Sequence, residues 1–194
     1  MKAALKHLLH AVFLGLAWPM ALLTGFGRFE SVFRFFAQWC ALSPGLPGDY
    51  LRVAYYKLTL EACDLESRIE FGSFFAHPQA RVAKLVYIGS YCVLGRTSIG
   101  ERTQIASSVQ ILSGRRQHAR DQQGRILAGD LRTFDTVRIG ANCWIGAGAI
   151  VMADVGAGST VGAGSVVVKP IPPASVAVGS PARVVSGVVD QSVE

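Results

Sequence analysis

Cysteine and histidine are scarce in this sequence, and neither is arranged as a metal site or a disulfide framework. The cysteines lie far apart with no C-x-x-C pair, which is typical of small buried hydrophobic residues in a reducing compartment. They are Cys40, Cys63, Cys92 and Cys143. The four histidines, two of which are His7 and His10, are too few and too scattered for a catalytic metal site. The sequence therefore predicts no metal cofactor.

Acidic residues are also in the minority. The chain has 13 Asp and Glu against 19 Lys and Arg, a net charge of +6 and a pI near 9.4. This balance suits an anionic partner such as a cofactor phosphate, an acidic saccharide or an anionic membrane surface. No nucleic-acid-binding motif accompanies the basic residues, so nucleic acid is not an expected partner. Hydrophobic residues make up 51% of the chain and the mean hydropathy is +0.36, so apolar surface must be buried in an oligomer interface or against lipid.

Neither the helical period of 3.6 nor the strand period of 2 describes the stretch from Val137 to Val168. Aliphatic residues, mostly followed by glycine, recur there every six residues with one step of four. The two series are Ile139, Ile145 and Val151, then Val155, Val161 and Val167; an earlier series is Ile88, Leu94, Ile99, Ile105 and Ile111. A six-residue period predicts a solenoid of three-sided coils, with one inward aliphatic residue on each side. A β-sandwich is the alternative, but its strands would alternate with turns at about 8–12 residues.

The N-terminal part contains an apolar run, Ala11–Phe26, that follows two lysines. No small-x-small cleavage site follows the run, which disfavours a signal peptide. Its 16 residues would rise about 24 Å as a helix, less than the roughly 30 Å hydrocarbon core of a bilayer. Pro19 lies within the run and should kink a helix. We therefore expect a re-entrant or interfacial helical hairpin rather than a simple transmembrane span.

A second helix is predicted just beyond this run. One face of it would carry Phe29, Val32, Phe33, Phe36 and Cys40. That face could pack on the solenoid, or it could lie in a membrane interface with Trp39 at headgroup depth, and the neighbouring apolar run favours the membrane. Through residue 60 the chain has six basic and two acidic residues, a net charge of +4, as expected beside anionic lipid.

A breaker rich in proline and glycine, residues 43–48, precedes a third predicted helix. Asp49 can cap this helix, which is expected over residues 50–60. Arg52 and Lys57 are expected to be exposed on it. Beyond the helix the pattern changes to irregular first coils of the solenoid.

The six-residue rhythm is lost over residues 112–136. A solenoid tolerates such an insertion only as a loop that leaves one face, often the binding face. The loop contains Asp121 and His118, and histidine is the side chain most easily used as a base near neutral pH. Its arginines include Arg115, Arg116, Arg120 and Arg125. A solvated basic loop without chemistry is the alternative, and His77, which precedes a proline, is expected to be a turn residue.

Three motifs together resemble the hexapeptide-repeat acyltransferases, nearest the sugar O-acetyltransferase and xenobiotic acetyltransferase branch. The first is Gln110-Ile111 leading to His118-Ala119-Arg120-Asp121, similar to the family's His-x-x-Asp. The second is VRIGANCWIGA at residues 137–147, and the third is VGAGSVVVKPIPP followed by VGSPARVV, within residues 161–185. The loop is longer than usual, and Gln117 stands where Asn or Thr usually precedes the histidine. The resemblance covers roughly residues 69–185 and implies a mainly β fold, a left-handed parallel β-helix.

The resemblance also implies a reaction, which is direct transfer of an acyl group from acetyl-coenzyme A to a hydroxyl. His118 would be the general base, with Asp121 or a backbone carbonyl holding the imidazole in the useful tautomer. The amide of Ala147 would donate a hydrogen bond to the developing oxyanion. Trp144 would shape the wall of the thioester tunnel, with plain packing as the alternative.

The coenzyme is expected to follow the coils. Ala147 and Trp144 would lie beside the thioester, the backbone near Ala163 would contact the pantetheine arm, and Lys169 and Arg183 would contact the phosphates. Similar enzymes are homotrimers with sites between subunits. His118 is therefore expected to face a coenzyme site shared with a neighbouring subunit.

Three regions and one function follow as expectations. Residues 1–62 would form a helical, membrane-associating segment, residues 63–186 the β-helix domain, and residues 187–194 a tail. The enzyme would acylate a saccharide hydroxyl, membrane-proximal or lipid-linked, in envelope or exopolysaccharide biosynthesis, while held on the cytoplasmic side of the inner membrane as a peripheral or monotopic protein. The alternatives are an acetyltransferase for a small soluble acceptor (sugar, serine or antibiotic) and a non-enzymatic solenoid scaffold.

Overall fold

Three helices precede a stack of short strands in the computed structural model, which describes residues 2–115, 118–128 and 134–187. The helices are α1 (Lys2–Leu23), α2 (Glu30–Ala41) and α3 (Gly45–Thr59). The strands of the described residues are β1 (Ala62–Cys63), β2 (Arg68–Ile69), β3 (Phe74–Phe75), β4 (Arg81–Val82), β5 (Tyr87–Ile88), β6 (Val93–Leu94), β7 (Thr97–Ile99), β8 (Gln104–Ile105), β9 (Gln110–Ile111), β10 (Val137–Ile139), β11 (Trp144–Ile145), β12 (Ile150–Val151), β13 (Thr160–Val161), β14 (Val166–Val167), β15 (Ser175–Val178) and β16 (Arg183–Gly187). Residues 188–194, most of the expected tail, and the loop residues Arg116 and Gln117 lie outside the described residues.

The strands form three sheets, because each strand is one side of a coil. We call them sheets A, B and C in the order in which the chain visits them. Sheet A has the order β1-β4-β7-β10, sheet B the order β2-β5-β8-β11-β13-β15-β16, and sheet C the order β3-β6-β9-β12-β14. Neighbouring coils pair in parallel, for example through Ile88, Ile105 and Ile145 in sheet B. The predicted parallel β-helix is confirmed, while the antiparallel pairing of β16 on β15 at its end was not anticipated.

The hexad aliphatic residues fill the inside of the coils. In a two-residue strand the first residue faces outward and the second inward, as in β8. All the predicted inward residues are at most 2% exposed: Ile88, Leu94, Ile99, Ile105, Ile111, Ile139, Ile145, Val151, Val155, Val161 and Val167. The small residues that follow them allow the coils to stack closely at the corners. A Cβ on Gly146, for instance, would lie 2.4 Å from the backbone nitrogen of Ala163 in the next coil.

Helix α3 packs on the first coils and contradicts two expectations. It begins before the predicted start, so Asp49 lies inside the helix instead of capping it. Arg52, expected to be exposed, is fully buried. Its guanidinium donates to the carbonyls of Cys40, Ser43 and Ile69 at 3.1, 2.7 and 2.8 Å and pairs with Asp49 at 2.6 Å. Burial lowers the pKa of Arg52, but these acceptors replace the lost water and tie the end of α2 to a coil.

Helix α1 is longer than the apolar run suggested and continues through Pro19. Residues before Ala11 join it, so Ala4–Leu23 forms a 20-residue stretch of about 30 Å. By length and composition this helix could cross a membrane, although the core helix of a soluble protein or a signal sequence would pass the same test. The prediction that this segment is too short to span a bilayer as a helix is therefore wrong. On its inner side α1 packs on α3, with Phe13 stacked on Tyr50 at 5.6 Å between ring centroids.

Helix α2 is apolar on two faces where one was predicted. The predicted face divides, because Phe33 and Cys40 are fully buried whereas Phe29 and Val32 are exposed. The outward set of α2 and its flanks consists of Phe29, Val32, Phe35, Trp39 and Leu42. Helix α1 adds Leu5, Leu8, Val12, Leu16, Trp18, Leu22 and Leu23, each at least 50% exposed. We call these two sets, with Phe26 of the connecting turn, the exposed hairpin face.

Candidate active site

Two corners of the coil carry the residues that the sequence singled out. The B–C corner lies between sheets B and C and consists of residues 146–149 and 162–165 in neighbouring coils. The C–A corner lies between sheets C and A and consists of residues 112–136, 152–154 and 168–170. The two corners are at opposite ends of the strands of sheet C.

The B–C corner presents free backbone amides. Residues 146–149 form a turn in which φ at the third residue is +68° and the fourth amide donates to the first carbonyl at 3.2 Å, as in a type II turn. Residues 162–165 repeat it, with +67° and 3.3 Å. The second residues, Ala147 and Ala163, are exposed, and their N–H groups have no acceptor within the described residues. Such fixed donors are available to a carbonyl or an oxyanion of a ligand.

Trp144 lies on the outer face of sheet B next to this corner. Its side chain is 60% exposed and is not part of the core. It lines a shallow depression of about 310 Å³ together with Tyr87, Gln104, Ile105 and Ala106. The indole is therefore available to a ligand that approaches the B–C corner.

The loop at the C–A corner leaves and rejoins the coil through a closed base. The amide of Asp135 donates to the carbonyl of Ser113 at 3.2 Å, and the amide of Val137 donates to the carbonyl of Arg96 at 3.0 Å. The hydroxyl of Ser113 accepts a hydrogen bond from the amide of Arg96 at 2.9 Å. The base is thus attached to the coil below.

Residues 119–127 of the loop form a small hairpin, with an antiparallel bridge between Arg120 and Ile126. Asp121 organises its turn. The carboxylate accepts hydrogen bonds from the amides of Gln123 and Arg125, both at 2.9 Å, and pairs with the Arg125 guanidinium at 2.7 Å. The hydrogen bonds from the side chain and amide of Arg125, followed by that from Gln123, lower the pKa of Asp121. The carboxylate therefore stays ionised at neutral pH.

His118 stands at the open end of this hairpin and is exposed. Its Nδ1 lies 3.1 Å from the carbonyl oxygen of Leu127. Because a carbonyl oxygen can only accept, Nδ1 carries the proton of this contact, and the neutral imidazole has its lone pair on Nε2. Of the two orienting groups left open by the sequence, the described contacts give His118 the backbone carbonyl, while Asp121 pairs with Arg125.

The two cations expected to meet phosphates lie apart. Lys169 is exposed at the C–A corner, whereas Arg183 is exposed at the start of β16 on the edge of sheet B. The Arg183 guanidinium donates to the carbonyl of Ala182 at 3.2 Å. In the part of the chain that the structure describes, neither side chain forms an ion pair.

A cleft of about 640 Å³ at the base of the loop was not anticipated. Its lining includes Arg115, Asp135, Arg138 and Asp154. The Asp154 carboxylate accepts from the amide of Arg138 at 2.8 Å and lies 3.8 Å from its guanidinium. The only signal in the sequence was the short, four-residue step after Val151, which places a polar corner here. Across the described residues, no three His, Cys, Asp or Glu side chains gather as a metal site would require.

The residues predicted to act together are divided between the corners. His118 and Lys169 belong to the C–A corner, whereas Ala147 and Ala163 belong to the B–C corner. Within the described residues, no hydrogen bond joins His118 to Trp144 or to either alanine. One chain alone therefore presents two half-sets of the predicted site.

The chain is similar to known proteins in sequence and in fold. The sequence is 37% identical over 143 residues to Nodulation protein L of Rhizobium meliloti (strain 1021), a match that covers 71% of this chain and 67% of that protein. Galactoside acetyltransferase in complex with coenzyme A superposes with a TM-score of 0.62 at 21% identity, covering 83% of each chain. A hexapeptide-repeat-containing acetyltransferase from Vibrio cholerae superposes with a TM-score of 0.55 at 19% identity, covering 83% of this chain and 93% of that one. No protein-family model matches the sequence.

These likenesses are of two kinds. The solved structures share the fold at low identity, and so they confirm the parallel coils. The Rhizobium protein is a relative in sequence over two thirds of its own length, and 37% identity over that length indicates common descent. The chain belongs to the hexapeptide-repeat acyltransferase family.

Proposed function

We propose that this protein is a coenzyme A-dependent O-acyltransferase that moves an acetyl group from acetyl-coenzyme A to a saccharide hydroxyl. The observation that carries the proposal is the state of His118 on an exposed loop, where Nδ1 is bound to the Leu127 carbonyl and Nε2 has no hydrogen-bond partner among the described residues. The family supplies the reaction class. Galactoside acetyltransferase, which binds coenzyme A on the same fold, supports the choice of donor and of a saccharide acceptor.

The proposed reaction needs a base and an oxyanion donor. As the acceptor oxygen attacks the thioester carbonyl, its proton passes to Nε2 of His118 and a C–O bond forms. The tetrahedral oxyanion accepts a hydrogen bond from the amide of Ala147, which the turn holds in place. Collapse of the intermediate breaks the C–S bond, and the departing thiolate takes the proton from His118. Asp121 contributes by holding the hairpin on which His118 stands.

The coenzyme would lie along the B–C corner. The amide of Ala163 repeats that of Ala147 one coil further and would meet a pantetheine carbonyl, with Trp144 as an outer wall. Lys169 and Arg183 are free of ion pairs within the described residues and would meet phosphates. The coenzyme would supply the thioester, and the coils would orient it.

A homotrimer would complete the site. The base belongs to the C–A corner and the oxyanion donor to the B–C corner, so a complete set arises where these corners of two subunits face each other. A heterologous contact of this kind closes into a ring of three when neighbouring subunits are related by a rotation of 120°. Light scattering on the full-length chain should give about three chain masses, and an active monomer would contradict the shared site.

The exposed hairpin face is proposed to lie on the cytoplasmic surface of the inner membrane. It gathers large apolar side chains that neither the core nor another described element covers, such as Trp18 and Trp39 at 51% and 54% exposure. Arg28 and Arg34 are exposed beside it and suit anionic headgroups. A lipid-linked or membrane-proximal saccharide would then reach the loop while acetyl-coenzyme A arrives from the cytoplasm.

Acetyl transfer is tested with purified protein, acetyl-coenzyme A and a panel of acceptors. The panel contains lipid-linked saccharides, their water-soluble forms, free sugars, serine and aminoglycosides. We expect calorimetry to show binding of acetyl-coenzyme A and mass spectrometry to show a saccharide that gains one acetyl group. A folded protein that binds no coenzyme would remove the enzyme proposal and leave the scaffold alternative.

Membrane attachment is tested with point variants, because a deletion of residues 1–42 would also remove Phe33 and Cys40 from the core. Four outward residues, Leu16, Trp18, Phe35 and Trp39, are replaced together by serine. We expect the wild type to float with vesicles of phosphatidylglycerol and phosphatidylethanolamine and the quadruple variant to stay in solution.

The matched control replaces Tyr91 and Val185, which are equally exposed on the coils, by serine. This control should float like the wild type. A wild-type protein that does not float would remove the membrane proposal, and with it the preference for a membrane-proximal acceptor.

A further inference from the structure

Three residues from successive coils meet at the base of the loop, between sheets C and A. His77 follows β3, Arg96 follows β6, and Phe134 is where the described chain returns from the loop to β10. The His77 ring contacts the Phe134 ring edge to face, with centroids 5.4 Å apart and planes at 78°. The Arg96 guanidinium carbon lies 5.8 Å from the centroid of the same ring. Phe134 is therefore held by two side chains from the coils beneath it.

The contact extends to the backbone of the loop. Nη1 of Arg96 lies 3.5 Å from the carbonyl of Phe134, and the Arg96 amide binds Ser113 at the entry of the loop. The next residue, Asp135, donates to the Ser113 carbonyl. Entry and exit of the loop are thus joined at one point, and the only aromatic anchor described there is Phe134.

The orientation of His77 is set from the helical segment. Its Nδ1 is bound to the carboxylate of Glu30, the first residue of α2. The start of α2 is itself fixed, because the turn before it packs against α3: a Cβ on Gly27 would lie 2.3 Å from the carbonyl oxygen of Thr59. A chain of direct contacts therefore runs from Glu30 through His77 to Phe134.

We propose that Glu30 and His77 are positioning residues that act through Phe134 to fix the direction of the loop that carries His118. The effect of this positioning on catalysis rests on the proposed acyltransferase function. Among the described residues the loop is attached to the coils at its base, so we expect a shift of Phe134 to change the position of Nε2 of His118 in the exposed hairpin. Displacement of a catalytic group by about 1 Å can cost about a hundredfold in rate.

Two readouts separate positioning from ordinary packing. Trypsin cleaves after Arg115, Arg120 and Arg125, which are exposed in the loop, so the rate of cleavage reports how often the loop opens and needs no substrate. Steady-state kinetics separates kcat from the KM for acetyl-coenzyme A. The coil is monitored by its melting temperature, and both readouts are taken on full-length protein well below it.

The principal variant is Phe134→Ala. We expect cleavage of the loop to accelerate about tenfold and kcat to fall about 10- to 100-fold with the KM for acetyl-coenzyme A unchanged. Phe134→Tyr keeps the ring, so its cleavage rate and kcat should be close to those of the wild type. His77→Ala should give a similar but smaller change and add little in the Phe134→Ala background, because the two residues act through one contact. Glu30→Gln should give the smallest change.

The matched control is Phe71→Ala. Phe71 forms the same kind of contact with Tyr91 of the next coil, with centroids 5.6 Å apart and planes at 89°, but in the turn after β2, three coils away from the turn that contains Ala147. It should leave loop cleavage and kcat unchanged. If Phe134→Ala fails to fold, His77→Ala and Phe134→Leu carry the same comparison.

An unchanged rate of loop cleavage in Phe134→Ala, or an equal acceleration in the Phe71→Ala control, would show that Phe134 does not hold the loop. Faster cleavage with an unchanged kcat would overturn the positioning role. If even the wild type transfers no acetyl group, the proposed function fails, while the cleavage rates still decide whether this contact chain holds the loop.

Discussion

The coils and the loop at the C–A corner are built by different rules. In the coils the inward hexad residues are at most 2% exposed, and main-chain hydrogen bonds join each coil to the next. In the loop, side chains 118–128 are partly or fully exposed and are held by local contacts around Asp121. Changes in the coils should therefore act on stability, whereas changes in the loop should act on rate.

The strongest test of this difference is His118→Ala. We expect kcat to fall by about 10²–10⁴-fold, the usual contribution of a general base. Because the side chain is exposed, the melting temperature and the affinity for acetyl-coenzyme A should be unchanged. Kinetics with calorimetry and thermal unfolding measure all three. A nearly normal rate would assign the loop to the solvated, non-catalytic alternative.

A pair of identical substitutions makes the comparison within one chemical change. Ile105→Ala removes a fully buried residue of the coils and should lower the free energy of unfolding by about 2–5 kcal/mol. Ile126→Ala removes a residue of the loop that is 65% exposed and should cost about 0.5 kcal/mol or less. Denaturant titration measures both. Similar costs at the two positions would mean that the loop is packed as tightly as the coils.

Asp121→Asn should have a smaller effect than His118→Ala. Asparagine can still accept from the two amides of the turn, but it loses the charge pair with Arg125. We expect a fall in kcat of about three- to tenfold, because the substitution loosens the hairpin and leaves the base in place. An effect on kcat as large as that of His118→Ala would require Asp121 to touch the imidazole during the reaction.

The smallest effect is expected at the cysteines. Burial raises the pKa of Cys40 and of Cys63 to about 12, so the reactive thiolate is scarce in both. Native protein should therefore react slowly with a thiol reagent at neutral pH, and unfolded protein quickly. Rapid labelling of the native protein would show that the first coils or the packed helices open readily.

The sequence predicted the coils well because their period is a property of the backbone. Within each series the inward residues are six apart, so Ile105 and Val161 could be placed before any contact was known. The same reasoning failed for α2, which is apolar on both sides, since periodicity cannot choose between two apolar faces. Arg52 was misplaced for another reason. Its burial depends on carbonyls from two distant segments that only the fold brings together.

Sequence motifs proposed the residues of the candidate site, whereas the fold decides how those residues are arranged. His118 and Ala147 were identified through motifs, yet their separation onto different corners depends on which side of the coil each occupies. Of the two partners expected for His118, the backbone carbonyl is the one in contact, because Asp121 is engaged in local hydrogen bonds of the hairpin that a sequence spacing does not reveal. The contact chain from Glu30 to Phe134 joins residues about a hundred positions apart, and no local pattern indicates it.

Complementation between two inactive variants tests directly whether the site is shared between subunits. His118→Ala removes the base of the C–A corner. Ala147→Pro removes the oxyanion donor of the B–C corner, and proline is favoured at the second position of a type II turn, so the fold should be kept. Each variant alone should have little activity. If the site is shared, trimers assembled from an equal mixture should recover about a quarter of the wild-type activity, because a quarter of the interfaces join an intact His118 to an intact Ala147. Activity no higher than that of the separate variants, in trimers shown to be mixed, would place both groups in one chain and contradict a site shared between subunits.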